Sequence, residues 1–299
     1  MTANACSALT GKPFGIERVC RVWEFPRATF YLHHKPSEAS QLQPGKRGPK
    51  TKLSDEQILA LIREDLKNSP FIGEGHRKVW ARLKFGKGIR VGRNRVLRLM
   101  RENNLLSPRR ARRPANLHQG EIITAIPDVM WGADGTKVFT VQDGWSWVFA
   151  AVDHFNAECV GHHTCKKGDR FNAMEPVSQA VKKHFGSLEQ EIARGLSLRI
   201  DSGSQYLSEH FQNQIQFWGI APSFAFIEQP QTNGVVERFF RTLKEQIIYG
   251  RVYQTVEDLR TAVDKFVDLY NAEWRIERLG FQSPKEARES YLTGLPKCA

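Results

Sequence analysis

The sequence predicts an α/β domain preceded by small, all-helical segments. Two observations predict the fold class. From about residue 124 the chain reads as three strands in close order and then as helices alternating with strands, the order of a mixed sheet covered by helices. Upstream, apolar residues recur at helical spacing over 15–33 and 53–106. A third observation separates the halves by charge. Residues 1–120 hold 25 Lys and Arg against 9 Asp and Glu, and the remainder holds 19 against 23. A basic N-terminal region is the electrostatic footprint of contacts to a phosphate backbone.

The chain of 299 residues is long enough for two or more domains and a sizeable core. Its five cysteines (Cys6, Cys20, Cys159, Cys165 and Cys298) are odd in number and contain no Cys-x-x-Cys pair, which excludes a disulfide scaffold and a zinc finger. Cys159 and Cys165 bracket His162 and His163, but the segment alternates like a strand, so these side chains are expected on opposite faces. Free thiols fit a reducing compartment. No signal peptide or membrane-spanning run is present, and no membrane partner is expected.

In chain order, residues 1–35 read as a helix-turn-helix-like segment, with Ile16, Val19, Cys20 and Trp23 on one face and a break at Glu24-Phe25-Pro26. Residues 36–52, rich in Pro, Gly and Lys, read as a basic linker. Residues 53–106 read as a helical DNA-binding domain. Its first helix opens at Ser54-Asp55-Glu56-Gln57, its second spans about Gly75 to Leu83, and its third runs from about Gly92 to Asn103. The third helix offers Arg93, Arg95, Arg98 and Arg101 to a DNA groove. Residues 107–123 form a second basic linker, in which Arg109, Arg110, Arg112 and Arg113 are expected to track the DNA backbone.

Residues 124–250 form the predicted α/β core. Strands are expected over 129–141, 145–153 and 158–165, the first two joined through Gln142-Asp143-Gly144, an Asp-Gly hairpin signal. A helix near 170–185, a strand ending at Asp201, a helix near 205–218, a short strand from Pro222 to Phe226 and a helix from about Asn233 follow. Three antiparallel strands, then helix, strand, helix, strand, helix, is the order of a ribonuclease H-like fold. Residues 251–299 are read as a C-terminal helical segment.

That order gives three carboxylates a common destination. Asp134 interrupts the first strand, Asp201 ends the fourth before a glycine turn, and Glu237, with thirty-five residues between it and Asp201, lies one turn into the last core helix. Hard divalent cations take oxygen ligands. A pair of them clamps the attacking and leaving oxygens of a phosphoryl transfer. Arg241 and Lys244 lie four and seven residues beyond Glu237, on the same helical face, where they suit DNA phosphates. The competing acids have plainer expectations: Asp143 a turn, Asp153 a turn or support for the site, Asp264 and Asp268 the polar face of a late helix.

Asp134, Asp201, Glu237 and Lys244 resemble the DDE catalytic cores shared by retroviral integrases and bacterial insertion-sequence transposases. The runs Arg199-Ile200-Asp201-Ser202-Gly203-Ser204-Gln205-Tyr206 and Asn233-Gly234-Val235-Val236-Glu237-Arg238-Phe239-Phe240-Arg241-Thr242-Leu243-Lys244 are similar to the second-frame (OrfB-type) product of the insertion-sequence-three family. The likeness extends back through 53–106 and forward to Tyr270-Asn271 and Ser283-Pro284-Lys285-Glu286-Ala287, most of the chain. Gly135, Ser202 and Gly234 depart from the family's commoner residues.

The resemblance implies a DNA transposase catalysing strand cleavage and strand transfer, a polynucleotidyl transferase of the bacterial cytoplasm and nucleoid. It implies two Mg²⁺ ions, with Mn²⁺ able to substitute, held by Asp134, Asp201 and Glu237, and a Lys244 contact to terminal DNA. Its partners would be the element's terminal inverted repeats and target DNA, further copies of the chain on paired ends, and a first-frame subunit or fusion. Two other readings stand beside it. A ribonuclease H-type nuclease would cut RNA–DNA hybrids in preference to element ends, and a non-catalytic DNA-binding regulator would be indifferent to metal.

Overall fold

The computed structural model describes residues 4–34, 52–107, 122, 124–224 and 233–294. The chain divides into two compact units, Met1–Lys52 and Leu53–Ala299. In the first, α1 (Gly15–Val22) and α2 (Arg27–His33) flank the expected break, where Glu24 takes a left-handed conformation. Cys20 is the one apolar side chain fully buried among the described residues of this unit, while Val22, Trp23 and Leu32 stay exposed.

The second unit opens with three helices around Ile58, Ile62, Val79, Leu83, Val96, Leu99 and Met100. The first, α3 (Asp55–Asn68), begins with a capping box. Ser54 Oγ accepts from the Gln57 amide and the Gln57 side chain accepts from the Ser54 amide, satisfying two otherwise orphaned donors. The second, α4 (His76–Ala81), runs on into a π turn over Arg82–Gly86, and α5 (Arg93–Glu102) follows. Asp65 of α3 is buried against Arg82, which grips both carboxylate oxygens at 2.7–3.0 Å.

The core is a five-stranded sheet in the order β3-β2-β1-β4-β5. β1 (Met130–Thr140), β2 (Gly144–Asp153) and β3 (Cys159–Cys165) form the expected antiparallel meander. β4 (Ser197–Ile200) and β5 (Ala221–Phe224) run parallel to β1. Strand alternation divides the interior. Trp131, Ala133, Phe149 and Ala151 meet α6 (Arg170–Phe185) and α8 (Glu209–Phe217) on one face. Val138, Val148, Ala150 and Val152 meet α9 (Gly234–Leu243) and α10 (Val256–Glu273) on the other.

Local features depart from simple periodicity. The expected 205–218 helix is two helices, α7 (Ser204–Leu207) and α8, because Ser208 is extended and its hydroxyl caps the second by accepting from the Phe211 amide. A bulge between Ala151 and Val152 sets Val152 opposite Cys159 and Ala151 opposite Gly161. Six residues of unbroken alternation would put Cys159 and Cys165 on one face; the bulge sends them to opposite cores. His162 bonds Asp264 of α10 at 2.9 Å and His163 bonds Asn172 of α6 at 3.0 Å, so neighbouring imidazoles face opposite ways, as alternation demands. Asp264, expected to be merely polar surface, is thereby tied to the sheet. Asp143, expected to bond within its turn, instead accepts from the Val256 amide at 2.8 Å and pairs with Lys166, fastening the hairpin to α10. The chain ends its described course with α11 (Pro284–Leu292). Among the described residues no helix is long and apolar enough to cross a membrane.

Candidate active site

Asp134 lies in β1 opposite Ala150 of β2, with its side chain on the face that α9 covers. Asp201 follows β4 directly and is exposed, and Glu237 stands exposed in the first turn of α9. Parallel pairing of β1 with β4 through Met130–Gly132 aligns Asp134, within β1, with the end of β4 where Asp201 follows. Burial pushes the Asp134 carboxyl up to about 6, opposed by the Gly135 amide. The charges of Asp201 and Glu237 raise it further and that of Lys244 lowers it, so all four groups share one electrostatic neighbourhood.

Each strand acid has one oxygen engaged locally: Asp134 Oδ1 accepts from the Gly135 amide at 2.7 Å and Asp201 Oδ1 from the Gly203 amide at 2.9 Å. Among the described residues no three His, Cys, Asp or Glu side chains are drawn tightly enough to enclose an ion. Asp134 and Asp201 each turn one oxygen onto a backbone amide and keep the other for a further partner. Their donor set, oxygen only and concentrated in negative charge, fits a hard divalent cation.

Gly135 has a reason in the fold. A Cβ there would come within 2.5 Å of the Phe149 ring, which stacks on Trp147 at 5.3 Å between centroids. Phe149 therefore occupies the room that a β-branched residue would claim.

Three residues overlooked in the sequence hold the frame around Asp134. Asn233, the N-cap of α9, is buried and its amide donates to the Ala133 carbonyl at 3.3 Å, one residue from Asp134. It approaches so closely because position 132 is glycine: a Cβ there would lie 2.5 Å from Asn233 Oδ1 and 3.1 Å from His154 Nε2. Arg199 pairs with Gly132 in the sheet and bonds Ser223 at 2.9 Å. Among the described residues, Arg199 Nε and Nη2, His154 Nε2 and Asn233 Oδ1 are buried without a hydrogen-bond partner. Burial lowers the His154 pKa, assisted by the nearby charges of Arg199 and Arg278, so its imidazole is neutral. Only contacts distant in sequence mark these residues.

The other expected positions fare differently. Arg241 is exposed on α9 and Lys244 half-buried at the π turn Lys244–Ile248 that prolongs it. On α5 Arg95 is turned inward, 20% exposed, bonding Asp55 and the Leu53 carbonyl, which gives it a structural task in place of the expected outward one. Arg98 pairs with Asp55 and Glu102, and Arg93 reaches Glu277 at 3.6 Å. Arg101 is exposed. Arg109, Arg110, Arg112 and Arg113 lie outside the described residues. Asp153 is buried, accepting from the Asp128 and Phe155 amides and from Arg288, and so braces the end of the sheet three registers from Asp134.

Residues 54–113 match the HTH-like domain family, and residues 125–230 and 218–284 match two integrase core domain families, which together span more than half of the chain. The transposase for insertion sequence element IS629 of Shigella sonnei is 24% identical over 94% of this chain and 94% of its own length. Transposase InsD for insertion element IS2 of Escherichia coli is 25% identical over 98% of this chain and 97% of its own. Among solved structures, the catalytic core domain of BIV integrase aligns at a TM-score of 0.40 and 20% identity, over 56% of this chain and 99% of that one. With its integrase core domain matches running over 125–284, behind an HTH-like domain, and with insertion-sequence transposases similar to it nearly end to end, this chain belongs to the integrase core domain family.

Proposed function

We propose that the protein is a DNA transposase that cleaves the ends of an insertion sequence and joins them to target DNA, with Asp134, Asp201 and Glu237 as the metal-binding catalytic carboxylates. The observation that carries the assignment is the parallel register of β1 with β4, which aligns Asp134 with the carboxyl end of β4 where Asp201 follows, within electrostatic reach of Glu237 and Lys244. In open α/β sheets ligands collect outside the carboxyl ends of the strands. Two Mg²⁺ ions held there would activate the attacking oxygen and stabilise the leaving one. The protein's own contribution is position. β1 carries one carboxylate, the residue directly after β4 carries another, and Asn233 fastens the helix bearing the third to the strand bearing the first. Lys244 and Arg241, on the same helical face as Glu237, suit the phosphates flanking the scissile bond. Oligomers on paired ends, and the first-frame partner, belong to the same reading.

The test is a set of charge-neutralising, shape-keeping variants: Asp134→Asn, Asp201→Asn and Glu237→Gln. Each is expected to lower Mg²⁺-dependent cleavage and joining of element-end duplexes by at least about a thousandfold, a loss within what electrostatic stabilisation of a transition state supplies. DNA affinity, read by anisotropy, should change little. A variant that cleaves near the wild-type rate removes its residue from the site. Cleavage confined to RNA–DNA hybrids would replace the transposase reading with a nuclease.

A further inference from the structure

The hairpin of β1 and β2 carries a row of rings on the face opposite Asp134. Phe139 and Trp145 face each other across the strands with centroids 5.6 Å apart and are 55% and 62% exposed. Next inward, Lys137 holds its ammonium 4.9 Å above the Trp147 ring, which stacks on Phe149. The loop after β3 closes on the same ring. Gly168 lies against the Trp147 indole so tightly that a Cβ there would overlap it. Gly168 is preceded by exposed Lys167, and two residues beyond it exposed Arg170 holds its guanidinium 5.0 Å from the Phe171 ring. The nearby acids are committed: Asp169 caps α6 through the Phe171 and Asn172 amides, and Asp143 pairs with Lys166.

Exposed rings interleaved with cations suit unpaired nucleic acid. Bases in a duplex stack on one another, whereas unpaired bases stack on aromatic side chains while Lys and Arg track the phosphates. The position adds to this. β1 pairs with β4 only through Met130–Gly132, so among the described residues its edge past Asp134 carries no neighbouring strand until Thr140 meets Tyr253. That open stretch of β1 lies between Asp134 and the exposed part of the row, which runs from Lys137 to Phe139 and Trp145.

We propose that Phe139, Trp145 and Lys137 form a docking surface for a single DNA strand. The inference rests on the transposase reading for its ligand, and its test separates the two. The full chain carrying Phe139→Ala and Trp145→Ala would be titrated with labelled oligothymidylate and with blunt duplex. Both rings are exposed, so the thermal midpoint should hold. Oligothymidylate affinity should fall about tenfold or more, at base-stacking strength, with duplex affinity nearly unchanged, and Trp145→Phe should restore most of the loss. Unchanged oligothymidylate affinity in the double variant overturns the proposal. So does loss of self-association with oligothymidylate affinity unmoved, which would assign the rings to contact between copies. Oligothymidylate binding by a wild-type chain that fails to cleave element ends would sink the transposase reading and leave this surface standing.

Discussion

Asn233 shows how much of a site can hang on a side chain with no chemistry of its own. Its hydrogen bond to the Ala133 carbonyl joins the N-terminus of α9 to β1 between two catalytic candidates. Asn233→Ala would remove that bond and leave the Ala133 carbonyl without it, at about 1–2 kcal/mol of stability. The larger effect should appear in catalysis, since a misplacement of about 1 Å can lower a rate about a hundredfold. Steady-state kinetics on element-end DNA would show kcat falling well beyond KM; a variant with unchanged kcat would reduce Asn233 to an ordinary cap. Gly135 makes the reverse case. Gly135→Val would drive a branched side chain into Phe149, and overpacking of this kind lowers stability by about 1–3 kcal/mol. Combined with Phe149→Ala, Gly135→Val should cost less than the sum of the two single losses, a coupling measurable by denaturant unfolding.

At the scale of elements, the sequence was legible wherever one period held without interruption. The capping-box start of α3, the three strands of the meander and the span of α6 follow directly from local pattern. What escaped was governed by contacts remote in sequence. The bulge opposite Ala151 and Val152 depends on strand register, and the break at Ser208 on one hydroxyl cap. Asp201 and Glu237 stand out in the sequence because each sits at an element boundary, and Asp134 because it interrupts an apolar strand, whereas Asn233, His154 and Arg199 acquire meaning only when β1, β4 and α9 converge. Gly161 belongs to the same class. The Pro176 carbonyl of α6 presses onto its Cα, leaving no room for a Cβ. Gly161→Ala should therefore push α6 off β3 and lower the unfolding midpoint, while Gly144→Ala, in a turn with open space but a left-handed backbone, should cost about 1 kcal/mol from strain alone. Equal losses in the two variants would contradict the close approach.

At the scale of the second unit, separate pieces are locked by long-range polar contacts. The helical region meets the core through reciprocal hydrogen bonds between the Ile72 backbone and the Gln246 amide at 2.8 and 2.9 Å, with Phe71 buried in the core cluster and Lys78 over Trp274. At the far end of the sheet, Arg288 of α11 binds Asp128, Asp153 and Glu158 at once, joining the last helix to the entry of β1 and the turn between β2 and β3. The pH dependence of stability is set here by opposing signs. Burial pushes Asp153 up to about 6 despite its donors, so its contribution is present below about 4 and fades as pH rises through 6. Burial also tends to raise Glu158, but Arg288 and Lys183 prevail and hold it below its ordinary value. Its contribution is therefore present above about 4.5 and fades on further acidification. Asp55, lowered by Arg98 and Arg95, follows Glu158. Thermal unfolding with chelator present should peak in mild acid, near pH 5, and fall steeply below pH 4. Arg288→Ala should cost about 3–5 kcal/mol at neutral pH, because it strands three acids, two of them buried. It should also move the peak to lower pH, since protonation is then the remaining way to relieve those charges. A variant whose stability profile merely drops, with its maximum where the wild type has it, would show that Arg288 packs α11 without balancing the charge beneath it.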